Sequence, residues 1–454
     1  MYAIDDQFID RARLGDDQLQ PLLAAVHRNP GHRPRCLCSA AETGGVDMYV
    51  ARIGGRYVLK RMPGTGPHHS AGCLSYTPPA ELTGIAPLVG TAIREQPNLG
   101  VTRLSLGFPL TRYSGRTKAA DAGGDADAEE RELDNTKLTL RGLLHFLWDE
   151  AEFVRWIPAM AGRRRWPAIR RYILLAAEAK STKTRPLSEL LWLPEPFTVA
   201  DKPDIAARRT ATFGPYAGSG RRQRLLLALG EVKDIAPARF GRHQLIIKHA
   251  PDCPFILDPD TLTALKGHFA IELGLRQALS DTKLIALLTF SVTVTGVAVV
   301  DRIALMNVTA DWIPFESVFE HALVSGLVEH RRRFRKTLRY NQPATTPLAS
   351  LILTDTNPPT ACYLTTTATS GPPAAINPDL PLTQWIWHTS VHAMPRIPPP
   401  TTNRRDRVPT TPSTAEEAHD PTETKEVRPW TKHTTALPNS QNPDCATTSA
   451  TSTE

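Results

Sequence analysis

The alternation of apolar and polar positions divides the chain into a long patterned part and a tail in which pattern is lost. Leu19, Leu22, Leu23 and Val26 recur at helical spacing and predict a short helical lead-in within Met1–Arg33. Met48–Ile53 and Arg56–Met62 flank Gly54-Gly55, the signature of a β-hairpin with a two-residue turn. Leu140, Leu143, Leu144, Leu147 and Ala151 share one helical face of Lys137–Glu152. A second helix is predicted from Pro167, a favoured first helical position, with Ile169, Tyr172, Ile173, Ala176 and Ala177 inward. Asp201–Gly220 reads as a polar, non-strand stretch. Strands are then expected over Leu225–Ile235 and His243–His249, a helix over Asp260–Leu279, and two strands within Lys283–Val308. A helix around Phe319–Tyr340 and short strands at Leu348–Thr354 and Thr360–Leu364 complete the patterned part.

One run needs separate treatment. Leu284–Val300 is apolar except for Thr289, Ser291, Thr293, Thr295 and Gly296. A spanning helix needs about 20 apolar residues without this β-branched Thr alternation, so the run predicts two strands, not a membrane helix. From Thr365 onward Thr and Pro dominate, apart from the island Trp385-Ile386-Trp387. The end of the chain, from about Pro398, cannot bury enough apolar surface to offset chain entropy and is expected to be disordered.

These patterns predict an α+β, multidomain protein. The expected division is an N-terminal domain over 1–116 carrying a β-hairpin at 34–76, a small-residue acidic linker over 117–135, a helical and winged-helix-compatible unit over 136–200, an α+β domain over 221–395, and a disordered Thr/Pro-rich tail over 396–454. A length of 454 residues agrees with two or three cores. The 40 prolines, many of them after Pro343, confine the compositional anomaly to the C-terminal part. Six cysteines are too few and too unevenly placed for a secreted disulfide framework, and the polar, acidic start MYAIDDQFIDRARLGDD lacks the basic and apolar regions of a signal peptide. A cytoplasmic protein without a membrane partner is expected. The formal net charge of +7 favours polyanions, DNA or RNA among them.

The segment Pro34–Tyr76 carries the most specific chemistry. Its hairpin brings the flanks together, so that Cys36 and Cys38 can meet His68, His69 and Cys73. Three thiolates with one imidazole form an established structural zinc set. If the turn after Pro67 is helical, His69 rather than His68 faces the same way as Cys73. Arg35, Lys60 and Arg61 lie close enough in sequence to offset the thiolate charge. Catalytic zinc would need an open position and a base, for which only Glu42 and Asp47 are near in sequence. The reading is therefore a structural Zn²⁺.

The pieces RCLC from Arg35, KRMPGTGPHHSAGC from Lys60, GEVKDI from Gly230, TFSVT from Thr289, RRFRKTLRYN from Arg332 and LILTDT from Leu351 together resemble a bacterial domain-of-unknown-function family, number eleven-seventy-three. The resemblance covers most of the chain up to about Pro395. It implies three cysteines near the N-terminus and an occurrence on bacterial mobile elements. It implies no reaction.

Two basic segments interleave arginine with aromatics: GRRRWPAIRRY from Gly162 and RRRFRKTLRY from Arg331. Arginine forks contact phosphates and aromatic faces stack on bases, so Arg163, Arg164, Arg165, Trp166, Arg331, Arg332, Arg333 and Arg335 are the candidate nucleic-acid-binding residues. On helices the same arginines would form a solvated face, with Trp166, Tyr172, Phe334 and Leu338 packed inward. A metal-dependent nuclease would use Glu231 and Lys233 of Glu231-Val232-Lys233, but the upstream carboxylates Asp201 and Asp204 fall in the polar stretch, and Asp355 is followed by no acidic-x-Lys triplet. No phosphate-cradling loop, dinucleotide fingerprint or nucleophile elbow is present. The sequence thus predicts an uncharacterised zinc-binding accessory or scaffold protein associated with nucleic acid and mobile elements; the alternatives are a metal-dependent or degenerate nuclease, and a protein-interaction module.

Overall fold

The computed structural model describes residues 1–4, 7–10, 15–29, 31–39, 44–113, 134–366 and 382–401. Most of the expected linker over 117–135 and nearly all of the expected tail over 396–454 lie outside the described residues. Met1–Thr401 is one compact unit. It is α+β throughout.

The N-terminal part is an antiparallel sheet with one helix on it. Strands β1 (Tyr2–Ile4) and β2 (Gln7–Ile9) precede α1 (Asp16–Arg28), then come β3 (Arg35–Cys36), β4 (Val46–Ile53) and β5 (Arg56–Arg61), in the order β2-β1-β3-β4-β5. The helical lead-in is thus shorter than its expected range, because the first strands have three residues each, too few for alternation to show. Helix α1 buries Leu19, Leu23 and Val26 against Ile4, Ile9 and Val50. Acidic residues in its first turn and His27 and Arg28 in its last agree with the helix dipole. The hairpin is as expected: Ile53 pairs with Arg56 across Gly54 and Gly55, whose φ angles of 60° and 73° suit glycine.

The middle of the chain contributes β6 (Ile93–Gln96), β7 (Val101–Leu104), β8 (Thr111–Tyr113), α2 (Leu140–Glu150), β9 (Arg155–Trp156), α3 (Trp166–Glu178), β10 (Lys180–Ser181), β11 (Leu191–Trp192), α4 (Lys202–Phe213) and β12 (Arg222–Arg224). Thr139 caps α2 by accepting the Gly142 amide at 2.9 Å. Pro167 lies in the first turn of α3. The polar stretch from Asp201 contains a helix, α4, that periodicity does not announce because it buries only Ile205 and Phe213.

The largest sheet joins β13 (Leu226–Pro237), β14 (His243–Ile247), β15 (Ala250–Leu257), β16 (Thr282–Val292) and β17 (Ala298–Thr309), with α5 (Pro259–His268) and α6 (Ala270–Ala278) between β15 and β16. The strands run β13-β14-β15-β17-β16, and β16 pairs again with β13, which closes a five-stranded barrel; β11 pairs in parallel with Leu227 and Ala228 of β13, on the edge opposite β16. Phe255 and Phe290 meet edge to face inside it at 5.1 Å. The expected strand pair over Lys283–Val308 is the β16–β17 hairpin, so the apolar run Leu284–Val300 is barrel wall. No helix among the described residues is long and apolar enough to cross a membrane.

The chain ends in β18 (Pro314–Phe315), α7 (Val318–Glu329), β19 (Phe334–Lys336), β20 (Leu351–Leu353), β21 (Thr360–Thr365) and β22 (Thr383–His388), with a sheet ordered β22-β21-β20-β19-β9. The helix expected to reach Tyr340 stops at Glu329, because Arg331 takes a positive φ of 54° and the chain continues as β19. The principal core includes residues from Leu88 to Tyr340, and within it Trp192 meets Phe255 at 6.1 Å.

Candidate metal centre

Cys36 is fixed in β3, paired with Tyr2 on one side and Val46 on the other. The second flank arrives through a chain of tight turns. A short 3-10 turn over Gly66–His68 is followed by His69 in extended conformation, and the Cys73 amide then donates to the Ser70 carbonyl at 2.8 Å. Gly66 is required here, because a Cβ on it would collide with the Thr77 side chain. The Ser39 hydroxyl donates to the His68 carbonyl at 3.0 Å and ties the two flanks together. Cys36, Cys38, His69 and Cys73 converge so that their ligand atoms lie within 4.8 Å of one another.

The spacings suit a tetrahedral ion. Zinc–sulfur bonds of about 2.3 Å imply sulfur–sulfur edges of about 3.8 Å, with sulfur–nitrogen edges slightly shorter. The Sγ atoms of Cys36 and Cys73 are 3.7 Å apart, and His69 Nδ1 is 3.4 Å from Cys38 Sγ and 3.9 Å from Cys73 Sγ. Contact with Cys36, whose thiol can donate to it, holds the Cys73 thiol well below its usual range, and the Ser75 amide also favours its thiolate; the same contact and burial push Cys36 up. Burial lowers His69 and favours the neutral imidazole that a metal ligand must present. His69 Nε2 is buried without a hydrogen-bond partner. His68 is exposed and outside the cluster, so of the two histidines named from sequence only His69 joins.

The expected counter-charges are distributed differently. Lys60 turns to Glu150 at 3.2 Å, while Arg61 acts on His69 and Arg155, a residue the sequence reading missed, senses Cys73. Arg155 belongs to β9, and nothing in the local sequence linked that strand to the hairpin. Of the two carboxylates near the cysteines in sequence, Asp47 lies opposite Arg35 in the β3–β4 register and is not part of the cluster, and Glu42 lies outside the described residues. Cys253 and Cys362 are buried and separate from the cluster, and Cys445 is outside the described residues.

The basic segments are placed very unequally. Arg163, Arg165, Arg331 and Arg333 are exposed. Arg164 instead turns inward: its guanidinium donates to the carbonyls of Phe153 and Asp311 at 2.9 and 3.2 Å, and to that of Arg155, and lies over the rings of Phe153 and Trp156. Trp166 donates to the Pro194 carbonyl at 3.0 Å and stacks on His249 at 5.2 Å. Arg332 is buried in a two-pronged pair with Asp355, both hydrogen bonds at 2.8 Å. Arg335 is buried between Asp149 at 2.6 Å and Glu152 at 3.0 Å. Four of the eight candidate nucleic-acid residues, Arg164, Trp166, Arg332 and Arg335, are therefore bonded inside the protein, and the second segment is not a helix with one solvated face but a turn at Arg331 leading into the wholly buried strand β19.

The nuclease alternative fares no better in geometry. Glu231 is buried on β13 and pairs with Lys248 at 2.9 Å, and Lys233 is exposed at a β-bulge. Asp201 precedes α4 and accepts the Thr198 hydroxyl at 2.6 Å. Among the described residues the Cys/His cluster is the one group of three or more His, Cys, Asp or Glu arranged to hold a metal ion, and Glu231 is not part of it.

Fold and site together define an α+β protein built on a closed barrel, with a four-donor Cys/His cluster in metal-binding geometry on its N-terminal sheet. The chain belongs to the family described as Protein of unknown function (DUF1173), whose model matches residues 2–390. No curated protein and no solved structure matches it.

Proposed function

We propose that this is a zinc-stabilised accessory or scaffold protein that works on nucleic acid without catalysing a reaction. The cluster of Cys36, Cys38, His69 and Cys73 carries the reading. Three thiolates and one imidazole satisfy the four positions of a tetrahedral zinc and leave none for water or substrate, which is the mark of a structural site. Zinc suits this soft donor set better than magnesium or calcium, which take oxygen ligands. The cysteines serve as thiolates here, in keeping with a reducing cytoplasm.

Nucleic acid is supported by the net charge of +7 and by the exposed Arg163, Arg165, Arg331 and Arg333. The link to mobile elements rests on the family resemblance alone. Elemental analysis of protein purified without chelator tests the metal, with about one zinc per chain expected; protein lacking zinc sinks the reading. A gel shift across a salt series tests the nucleic-acid part. Binding that weakens steeply with salt supports it, and the absence of any salt-sensitive binding gives way to a protein-interaction module.

A further inference from the structure

We infer that the β13–β17 barrel is an oligonucleotide-binding barrel, and that single-stranded nucleic acid lies across β14 and β15 with a base stacked on Phe240. Connectivity supplies the first argument. In the closed ring β13-β14-β15-β17-β16, β15 and β17 are parallel, the other neighbours are antiparallel, and the helical segment sits between the third and fourth strands in sequence. That is the connectivity of the five-stranded Greek-key barrel that binds oligonucleotides and oligosaccharides. Such barrels use the face of their second and third strands and the loops joining first to second and fourth to fifth.

The first of those loops supplies the second, independent argument. It reads Arg239-Phe240-Gly241-Arg242, and Phe240 is 93% exposed. Phe240 sits at φ 59°, ψ 41° and Gly241 at φ 68°, the mirror-image turn that selects Asn or Gly at its first central position. An aromatic residue there strains the backbone and buries nothing, so folding gains nothing from it. Arg239 and Arg242 are exposed on either side and form no ion pair among the described residues. Asp234, the nearest acid in sequence, turns to the Ile235 amide at 2.8 Å. Between the loops the outward residues Gln244, Ile246 and Ile256 form a half-buried, largely apolar floor. The far loop, between β16 and β17, exposes Val294.

A ring between two cations matches a base and its flanking phosphates, whereas a neutral oligosaccharide offers the arginines no opposite charge. Stacking requires an unstacked base, so single strands fit and duplex does not. The inference deepens the nucleic-acid reading above but rests on a different surface.

Fluorescence anisotropy on the full-length, chelator-free protein tests it, with labelled single-stranded DNA, RNA and duplex of equal length. Phe240→Asn fits the turn better than phenylalanine, so it is expected to fold at least as well while binding single strands about tenfold or more weakly. Phe240→Trp should retain binding. Replacing Arg239 and Arg242 by Ala should flatten the dependence of log affinity on log salt by about 0.7 for each phosphate that is no longer neutralised. Wild-type affinity in a folded F240N protein, or equal affinity for duplex, overturns the inference. If binding survives F240N but is lost on replacing Arg163, Arg165, Arg331 and Arg333 by Ala, the barrel surface is refuted and the broader nucleic-acid reading stands. A wild-type protein that binds neither strand nor duplex refutes both.

Discussion

Two polar clusters lie within reach of each other, and only one of them brings its own counter-ions. At the end of α2, Asp149, Glu150 and Glu152 gather where the helix dipole disfavours negative charge. Lys180 at 2.6 Å and Lys60 at 3.2 Å neutralise Glu150, and Arg335 binds Asp149 and Glu152. Tyr340 adds its hydroxyl to Asp149 at 2.6 Å. Burial opposes the Glu150 charge, but the two ammonium groups outweigh it and hold the carboxyl well below its usual range. The cluster of Cys36, Cys38, Cys73 and His69 has no lysine or arginine hydrogen-bonded to a sulfur among the described residues. A carboxylate cluster that carries its own ammonium and guanidinium partners needs no ion, whereas thiols and an imidazole gathered without such partners are a donor set that suits one.

The largest effect should come from removing the proposed zinc. Cys73→Ser is expected to release the metal and loosen β3–β5 with the following turns, as hydrogen exchange would show, while the barrel stays protected. Structural zinc is worth about 10–16 kcal/mol in small zinc-finger peptides, more than the modest core beneath α1 could replace. Cys362→Ser, in a buried thiol away from the cluster, should leave the metal content unchanged.

Next in size is the self-neutralised side. Arg332→Ala strands the buried Asp355 carboxylate and should cost about 3–5 kcal/mol in denaturant unfolding, whereas Arg333→Ala, one residue along and exposed, should cost under about 0.5 kcal/mol. Equal costs would mean that Arg332 is not buried against Asp355.

A smaller, pH-dependent effect belongs to His145. It is buried on α2, accepts the Tyr340 amide at 3.0 Å through Nδ1, and burial pushes its pKa down to about 3. The folded state therefore keeps it neutral while the unfolded chain takes up a proton below about pH 6.5. Its contribution is full above that value and is lost as pH falls from about 6.5 towards 3. His145→Gln should flatten the stability profile between pH 6.5 and 4.5 relative to wild type; parallel profiles would contradict the burial.

Much of the local structure was legible because its signals are local. Gly54-Gly55 announced the hairpin, Pro167 the start of α3, and the Thr alternation within Leu284–Val300 two strands. The ligand set was legible because a hairpin joins its flanks, although His69 reaches the cluster through successive turns and not along a helix. What escaped depended on distant pairing. Pro251 and Pro254 hide β15, which is paired only on either side of them, and without β15 the barrel cannot be closed. The arginines escaped because RRRFRKTLRY looks the same in sequence whether its cations meet solvent or the carboxylates of Asp149 and Asp355.

X-ray absorption on the protein as purified reads the ligand set of Cys36, Cys38, His69 and Cys73 itself. Zinc with three sulfur ligands at about 2.3 Å and one nitrogen at about 2.0–2.1 Å is expected, falling to two sulfurs or to no metal in Cys38→Ser. A protein without metal, or a first shell containing an oxygen in place of a sulfur, would contradict it.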